Sequence, residues 1–89
     1  MLQSGSLIEI NMKNVIVTGS FDKIQSSHVR FLEEASRLGL LHVFLWSDEI
    51  VRQLEGASPR FPQDERSYFL NSIRYINQVT LVNEIATTD

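Results

Sequence analysis

The stretch NVIVTGSFD (residues 14–22) decides the fold of this chain. Its β-branched residues stand next to one another instead of alternating with polar ones, which is typical of a strand covered on both faces. Strands of that kind occur in parallel sheets flanked by helices. The stretch therefore predicts a central parallel strand that ends at Gly19 and leads into a polar turn.

An amphipathic helix is predicted directly after the turn. In residues 28–38, apolar side chains recur at spacings of three and four, as they do on one face of a helix. Ser26 or Ser27 can cap the start of this helix, and Gly39 stands where a left-handed residue commonly ends one. Residues that favour a helix end therefore stand at both ends of this segment.

The rest of the chain continues this alternation. Residues 40–46 (LLHVFLW) predict a second buried strand, and residues 47–48 (Ser-Asp) can cap a short helix after it. A third helix is predicted to begin near Pro62, followed by a strand over residues 78–82. The order β-α-β-α-α-β implies a parallel α/β sheet with right-handed connections.

The composition excludes several classes of protein. A chain of 89 residues without cysteine forms at most one domain, and its 43% apolar residues are typical of a soluble globular protein. A formal charge of -3 lacks the basic surface that duplex nucleic acid or an anionic membrane requires, so neither is expected as a partner. Residues 1–13 are interpreted as a tail without the features of a secretory signal, so residues 14–89 are expected to form a cytoplasmic domain.

A ligand site is expected at the carboxyl ends of the strands, in residues 19–28 and 47–48. The polar turn feeds a helix start, where free backbone N–H groups and the positive end of the helix dipole favour an anion, most naturally phosphate. His28 at that start could donate to phosphate oxygens and stabilise charge in a transition state. Its alternative role is capping or packing.

The chain resembles the cytidylyltransferase-like nucleotidyltransferases. Residues 19–28 (GSFDKIQSSH) look like their signature, in which a G-T-F-D turn is followed by H-x-G-H at the start of the first helix. Further matches to the ethanolamine-phosphate, glycerol-phosphate and heptose-phosphate branches follow in order: Ser47-Asp48-Glu49, Gly56, Phe61, Glu65-Arg66, Ile73-Arg74-Tyr75 and Val79. The resemblance covers residues 14–82 and implies a Rossmann-like parallel sheet with flanking helices.

The activity implied by the resemblance is nucleotidyl transfer. CMP or AMP would pass from CTP or ATP to a phosphorylated small molecule, with release of pyrophosphate and normally with Mg²⁺. The resemblance supplies no protein ligand for that metal. His42 lies in an apolar strand without further ligands at metal spacing, so it is interpreted as structural and no metal site is predicted.

The resemblance also implies roles for individual residues. His28 matches the second signature histidine, which stabilises the attacked α-phosphate, and Arg66 matches a family arginine that looks like a phosphate contact. Asp48 lies where family members line the pocket, with a helix cap as its alternative role. Nucleotide or phosphate binding is implied for the remaining signature positions, Gly19, Ser20, Phe21, Asp22, Gln25 and Ser27.

Three departures from the family pattern argue for weakened or altered chemistry. Gln25 replaces the first signature histidine and cannot carry a proton charge, whereas Ser27 replaces the signature glycine and fills space near the phosphates. Glu55 stands where related proteins have a lysine. The alternative function is therefore a catalytically degenerate nucleotide-binding or interaction domain.

The resemblance implies a family sheet order of 3-2-1-4-5, of which the later strands are expected to be missing here. A chain that stops after the third strand would leave residues 15–17 on an open edge, and exposed apolar edges favour association. We therefore expect a fragment or a homo-oligomer. In the alternative arrangement, residues 7–10 fold back along the same edge within one chain.

Overall fold

The computed structural model describes the backbone of residues 5–10 and all of residues 13–84. Residues 1–4 and 11–12 of the predicted tail and residues 85–89 of the predicted domain lie outside the described residues. The elements, in chain order, are β1 (Gly5–Ile10), β2 (Asn14–Gly19), α1 (Ser26–Ser36), β3 (Leu40–Trp46), α2 (Asp48–Glu55), α3 (Gln63–Asn71) and β4 (Gln78–Val82).

The four strands form one sheet in the order β1-β2-β3-β4. Strand β3 pairs in parallel with β2 on one side and with β4 on the other, with Val17 opposite Val43 and Val43 opposite Val79. Three parallel strands in an open sheet with flanking helices confirm the predicted Rossmann-like α/β fold. The order β4-β3-β2 also reproduces the implied 3-2-1 half of the family sheet.

Strand β1 lies on the edge of β2 at which the implied family order has its fourth strand. It runs antiparallel to β2, with Gly5 opposite Gly19 and Ile10 opposite Val15, and its register shifts between Leu7 and Glu9. Residues 5–10 of the predicted tail are thus a strand of the sheet, in the fold-back arrangement considered as the alternative. Because this pairing supplies hydrogen-bond partners to the edge of β2, that edge does not require a second chain.

The core lies against one face of β2 and β3. Apart from the exposed Leu40 at the start of β3, successive residues of both strands alternate between buried and half-buried positions, so one face is fully covered and the other is partly covered. The buried face joins the apolar sides of α1 and α3 in a single cluster. Its fully buried aliphatic members are Val15, Val17, Leu32, Leu41, Val43, Leu45 and Leu70.

Two predicted helix ends are wrong. The N-cap of α1 is Gln25, so Ser26 and Ser27 lie inside the first helical turn. The left-handed glycine of the described residues is Gly56 (φ 79°), which ends α2, and Gly39 is not left-handed. Gly39 instead lies against the backbone, since a Cβ there would stand 3.0 Å from the carbonyl oxygen of Lys13.

No helix in residues 13–84 is long and apolar enough to cross a membrane.

Removal of residues 1–11 tests whether β1 covers the edge of β2. We expect the shortened chain to self-associate more strongly than the full chain, because the deletion exposes unpaired N–H and C=O groups beside apolar residues. Light scattering on both chains at matched concentration gives the mass. An unchanged mass after the deletion would contradict the covering role of β1.

Candidate functional site

The turn between β2 and α1 has an unusual backbone. Phe21 (φ 46°) and Lys23 (φ 59°) are both left-handed, although neither is glycine. Such residues cost roughly 1–3 kcal/mol each and persist where surrounding contacts hold them, often at functional sites. Phe21 is fully buried in the core, which fixes the turn to the body of the domain.

Arg66 of α3 connects the carboxyl ends of two strands. It is only 2% exposed, and its Nη1 donates to the carbonyl oxygens of Ser20 (2.7 Å) and Trp46 (2.8 Å). Its Nη2 donates to Asp48 Oδ1 at 2.7 Å, and its Nε donates to the carbonyl oxygen of Phe61 at 2.8 Å. These hydrogen bonds reach the residue after β2, the last residue of β3, the first residue of α2 and the segment before α3. Arg66 therefore fixes the relative positions of the segments that surround the site.

Asp22 connects the same turn to the segment before α3. Its Oδ2 accepts from the backbone N–H of Arg60 at 2.6 Å, and its Oδ1 accepts from that of Phe61 at 2.9 Å. Phe61 is therefore fixed through its N–H by Asp22 and through its carbonyl by Arg66. Both oxygens of Asp22 are engaged with protein.

The start of α1 carries the single histidine of the signature. His28 is 5% exposed, and its Nδ1 accepts from the backbone N–H of Gln25 at 2.9 Å. Since Nδ1 is an acceptor, the neutral ring carries its hydrogen on Nε2, which makes Nε2 a donor. Ser27 is exposed in the same first turn, in which the backbone N–H groups of His28 and Val29 donate to the carbonyl oxygen of Gln25 at 2.9 and 3.2 Å.

The structure divides the predicted site residues into two groups. Ser20, Asp48 and Arg66 are in direct hydrogen-bond contact, whereas Gln25 and His28 form a separate pair with Ser27 beside them. Gly19, Phe21 and Asp22 belong to the strand end and turn that join the two groups. The helix-cap role considered for Asp48 belongs to Ser47, whose Oγ accepts from the N–H of Ile50 at 3.3 Å.

Beside the turn is a cavity of about 290 Å³, here called the phenylalanine cavity. Its apolar walls are Phe21, Ile24, Phe61 and Phe69, and Lys23 and Glu65 bring opposite charges to it. Arg66 also lines it. The sequence analysis did not place Lys23 and Phe69 beside one cavity, because nothing local to either residue shows that the turn and α3 line the same space.

Two other residues that could have contacted a ligand or a metal have structural partners. Trp46 Nε1 donates to Thr18 Oγ1 at 2.9 Å, and that hydroxyl donates to the carbonyl oxygen of Phe44 at 3.0 Å. His42 Nε2 lies 3.2 Å from Asn14 Oδ1. Within residues 13–84 no group of three His, Cys, Asp or Glu side chains is placed to hold a metal ion.

The sequence profile of the family described as cytidylyltransferase-like matches residues 16–89. The chain belongs to this family. It is 40% identical over 68 residues to a FAD synthase of Pyrococcus horikoshii, which covers 75% of this chain and 46% of that protein. It is 35% identical over 83 residues to the bifunctional protein HldE of Aliarcobacter butzleri, covering 91% of this chain and 17% of that one.

A solved structure supports the same fold. The lipopolysaccharide core biosynthesis protein of Thermoplasma volcanium superposes with a TM-score of 0.74 at 27% identity, over 82% of this chain and 60% of that one. The chain therefore spans less than half the length of the two curated relatives and under two thirds of the structural one.

Replacing Arg66 by lysine tests its structural role. We expect Arg66→Lys to lower the free energy of unfolding by more than about 2 kcal/mol, because one ammonium cannot reach acceptors on four separate segments and leaves buried carbonyls without donors. Arg52→Lys is the matched control, since Arg52 is half-exposed and pairs with Glu49 on its own helix. That control should change stability by no more than about 0.5 kcal/mol. Urea unfolding measures both, and equal losses would contradict the role given to Arg66.

Proposed function

We propose that this chain transfers CMP or AMP from CTP or ATP to a phosphorylated small molecule. A phosphate oxygen of the acceptor attacks the α-phosphorus of the nucleotide, the bond from that phosphorus to the bridging oxygen breaks, and pyrophosphate leaves with that oxygen. The observation that carries the proposal is the placement of the family signature. It lies on a strand, a strained turn and a helix start, with His28 held at the first turn of α1.

His28 is proposed to stabilise the charge that develops on the α-phosphate. With its hydrogen on Nε2, the neutral ring can donate to a phosphate oxygen without changing its protonation state. Gln25 acts as a positioning residue, since its backbone N–H fixes the ring through Nδ1. The backbone N–H groups of His28 and Val29 already donate to the carbonyl oxygen of Gln25, so the further donors proposed for phosphate are those of Ser26 and Ser27.

Arg66 and Asp48 are proposed to position the site instead of contacting phosphate. Arg66 makes four hydrogen bonds to protein acceptors, and one of these goes to Asp48. A guanidinium so engaged fixes the strand ends from which the turn begins. The phosphate contact implied for Arg66 by the resemblance stays a prediction, as do the nucleotide contacts of Gly19 to Asp22 and of Ser27.

The Mg²⁺ implied by the family does not fit a site formed by protein side chains here. Both oxygens of Asp22 accept backbone N–H groups, and Asp48 is paired with Arg66. Mg²⁺ in nucleotide enzymes is commonly held by substrate phosphates with only one or two carboxylates. We therefore propose that any Mg²⁺ enters with the triphosphate.

The relatives favour ATP as the donor. FAD, the product named for the FAD synthases, consists of AMP joined to flavin mononucleotide, so its synthesis from that mononucleotide is an adenylyl transfer. Because ATP and CTP are cytosolic metabolites, a cytoplasmic location accompanies the proposal. A homo-oligomer is also proposed, since β4 pairs only with β3 and leaves its other edge unpaired among the described strands.

A catalytically degenerate nucleotide-binding or interaction domain is the second candidate. The exposed Gln25 stands where the family has a histidine, and Ser27 stands where it has a glycine. Both changes fall at the helix start that is proposed to hold the phosphates. Such a domain would bind nucleotide and release no pyrophosphate.

Pyrophosphate release separates the two candidates. The full chain is incubated with Mg²⁺, with ATP or CTP, and with flavin mononucleotide, glycerol 3-phosphate or a sugar phosphate in turn. We expect release with one donor and one acceptor, in proportion to enzyme. Nucleotide binding by calorimetry without release from any pair would favour the degenerate domain, and neither binding nor release would contradict both.

Replacement of His28 by alanine tests the proposed phosphate contact. We expect His28→Ala to weaken nucleotide binding by roughly 1.5–3 kcal/mol, the range of hydrogen bonds to charged groups, or to slow turnover alone if the contact forms only in the transition state. His42→Ala is the matched control, because His42 lies near the amino end of β3 beside Asn14. Calorimetry and the pyrophosphate assay measure both variants. Unchanged binding and turnover in His28→Ala would overturn the role of His28.

A further inference from the structure

The phenylalanine cavity has the dimensions and lining of a ring-binding pocket. Its volume of about 290 Å³ lies at the lower end of the roughly 300–1,000 Å³ usual for small-molecule pockets. It therefore suits one ring system of a substrate and not a complete dinucleotide. Three phenylalanines and an isoleucine among its walls offer contacts to the faces and edges of such a ring.

Two of these phenylalanines are unusually accessible. Phe61 and Phe69 are each 49% exposed, although both are large apolar side chains. The backbone of Phe61 is fixed on both sides, because Asp22 accepts from its N–H and Arg66 donates to its carbonyl. The cavity wall is thus in place before a ligand arrives, which lowers the entropic cost of binding.

The two charged residues Lys23 and Glu65 at the cavity come from different elements of the fold. Lys23 is held in a left-handed conformation two residues before Gln25, the N-cap of α1. Its ammonium therefore belongs to the turn that leads directly to the proposed phosphate site. Glu65 comes from the first turn of α3 and offers carboxylate oxygens that can accept N–H groups of a heterocycle.

We propose that the phenylalanine cavity binds the planar aromatic ring of a phosphate-bearing substrate and that Lys23 contacts the phosphate of the same molecule. This rests on the proposed function for the presence of a phosphate, whereas the ring depends on the cavity alone. Polyol phosphates such as glycerol 3-phosphate have no ring to place between Phe61 and Phe69. The ring can come from the acceptor or from the base of the donor.

Flavin mononucleotide is the probe for this site, because stacking on aromatic side chains quenches its fluorescence. The full chain is titrated with flavin mononucleotide, with riboflavin, which has the ring without the phosphate, and with glycerol 3-phosphate as a competitor. We expect saturable quenching of flavin mononucleotide, weaker binding of riboflavin, and no displacement of riboflavin by glycerol 3-phosphate, because these two share no group that the cavity would bind. Absence of saturable binding by both flavin mononucleotide and ATP, or displacement of riboflavin by glycerol 3-phosphate, would overturn the proposal.

Substitutions locate the bound ring. Phe69→Ala should weaken binding of both flavins about tenfold, the scale expected for loss of one stacked ring, and Phe69→Tyr should retain it. Tyr68→Ala is the matched control, since Tyr68 is the adjacent aromatic residue on α3, is 74% exposed and does not line the cavity. Circular dichroism verifies that each variant is folded. Equal effects of Phe69→Ala and Tyr68→Ala would place the ring elsewhere and overturn the proposal.

A separate substitution tests the proposed contact between Lys23 and the phosphate. Lys23→Gln keeps a non-glycine residue in the left-handed position and should reduce the preference for flavin mononucleotide over riboflavin, leaving riboflavin binding unchanged. Lys13→Gln, next to the amino end of β2, is the control for loss of a positive charge and should retain the preference. An unchanged preference in Lys23→Gln would refute the phosphate contact.

Competition identifies the source of the ring. If ATP displaces flavin mononucleotide, the cavity takes the base of the donor, and if both bind together, it takes the ring of the acceptor.

A failure of the proposed transfer reaction can be distinguished from a failure of the ring-binding proposal. Ring binding that depends on Phe69 without pyrophosphate release would refute only the transfer reaction, and pyrophosphate release with glycerol 3-phosphate but without ring binding would refute only the assignment of the cavity.

Discussion

The buried guanidinium of Arg66 is the contact on which the geometry of the site depends. A charge removed from water is tolerated only when its donors are paired, and here the partners are three carbonyl oxygens and the carboxylate of Asp48. Two of those carbonyls belong to Ser20 and Trp46, where the sheet ends. The side chain of Arg66 thus supplies donors to acceptors that would otherwise lack a hydrogen-bond partner. It also holds the ends of β2 and β3 and the start of α2 at fixed distances from one another.

Asp22 and Arg66 together explain how a strained turn can remain in place. The left-handed Phe21 and Lys23 lie on either side of Asp22, whose carboxylate accepts from two consecutive backbone N–H groups before α3. The buried ring of Phe21 fixes the turn from the core side. Contacts on both sides offset the local cost of the backbone, which is the condition under which such strain persists near binding sites.

The two changes in the family signature, Gln25 and Ser27, differ in their consequences for the structure. Gln25 contacts His28 in two ways, because its backbone N–H donates to the ring and its side chain accepts from the backbone N–H of His28 in a capping box. The ring itself is oriented by the backbone N–H, which any residue except proline supplies, so loss of the first signature histidine leaves that contact intact. Ser27 is different, because its side chain is exposed in the first turn of α1, where phosphate is proposed to approach. Of these two changes, the serine has the more direct consequence for phosphate binding.

The sequence by itself determined the three parallel strands, the helices between them and the position of His28 at a helix start, because these depend on the periodicity of neighbouring side chains and on a short signature. The tertiary structure alone decided the fold-back of β1, the close approach of Gly39 to Lys13, and the partners of Asp22 and Arg66. The partners of Asp22 lie 38 and 39 residues along the chain, and Ser20 lies 46 residues from Arg66. Charge and residue type indicate that such groups need partners, but only the packing of α3 against the strand ends selects which ones they meet.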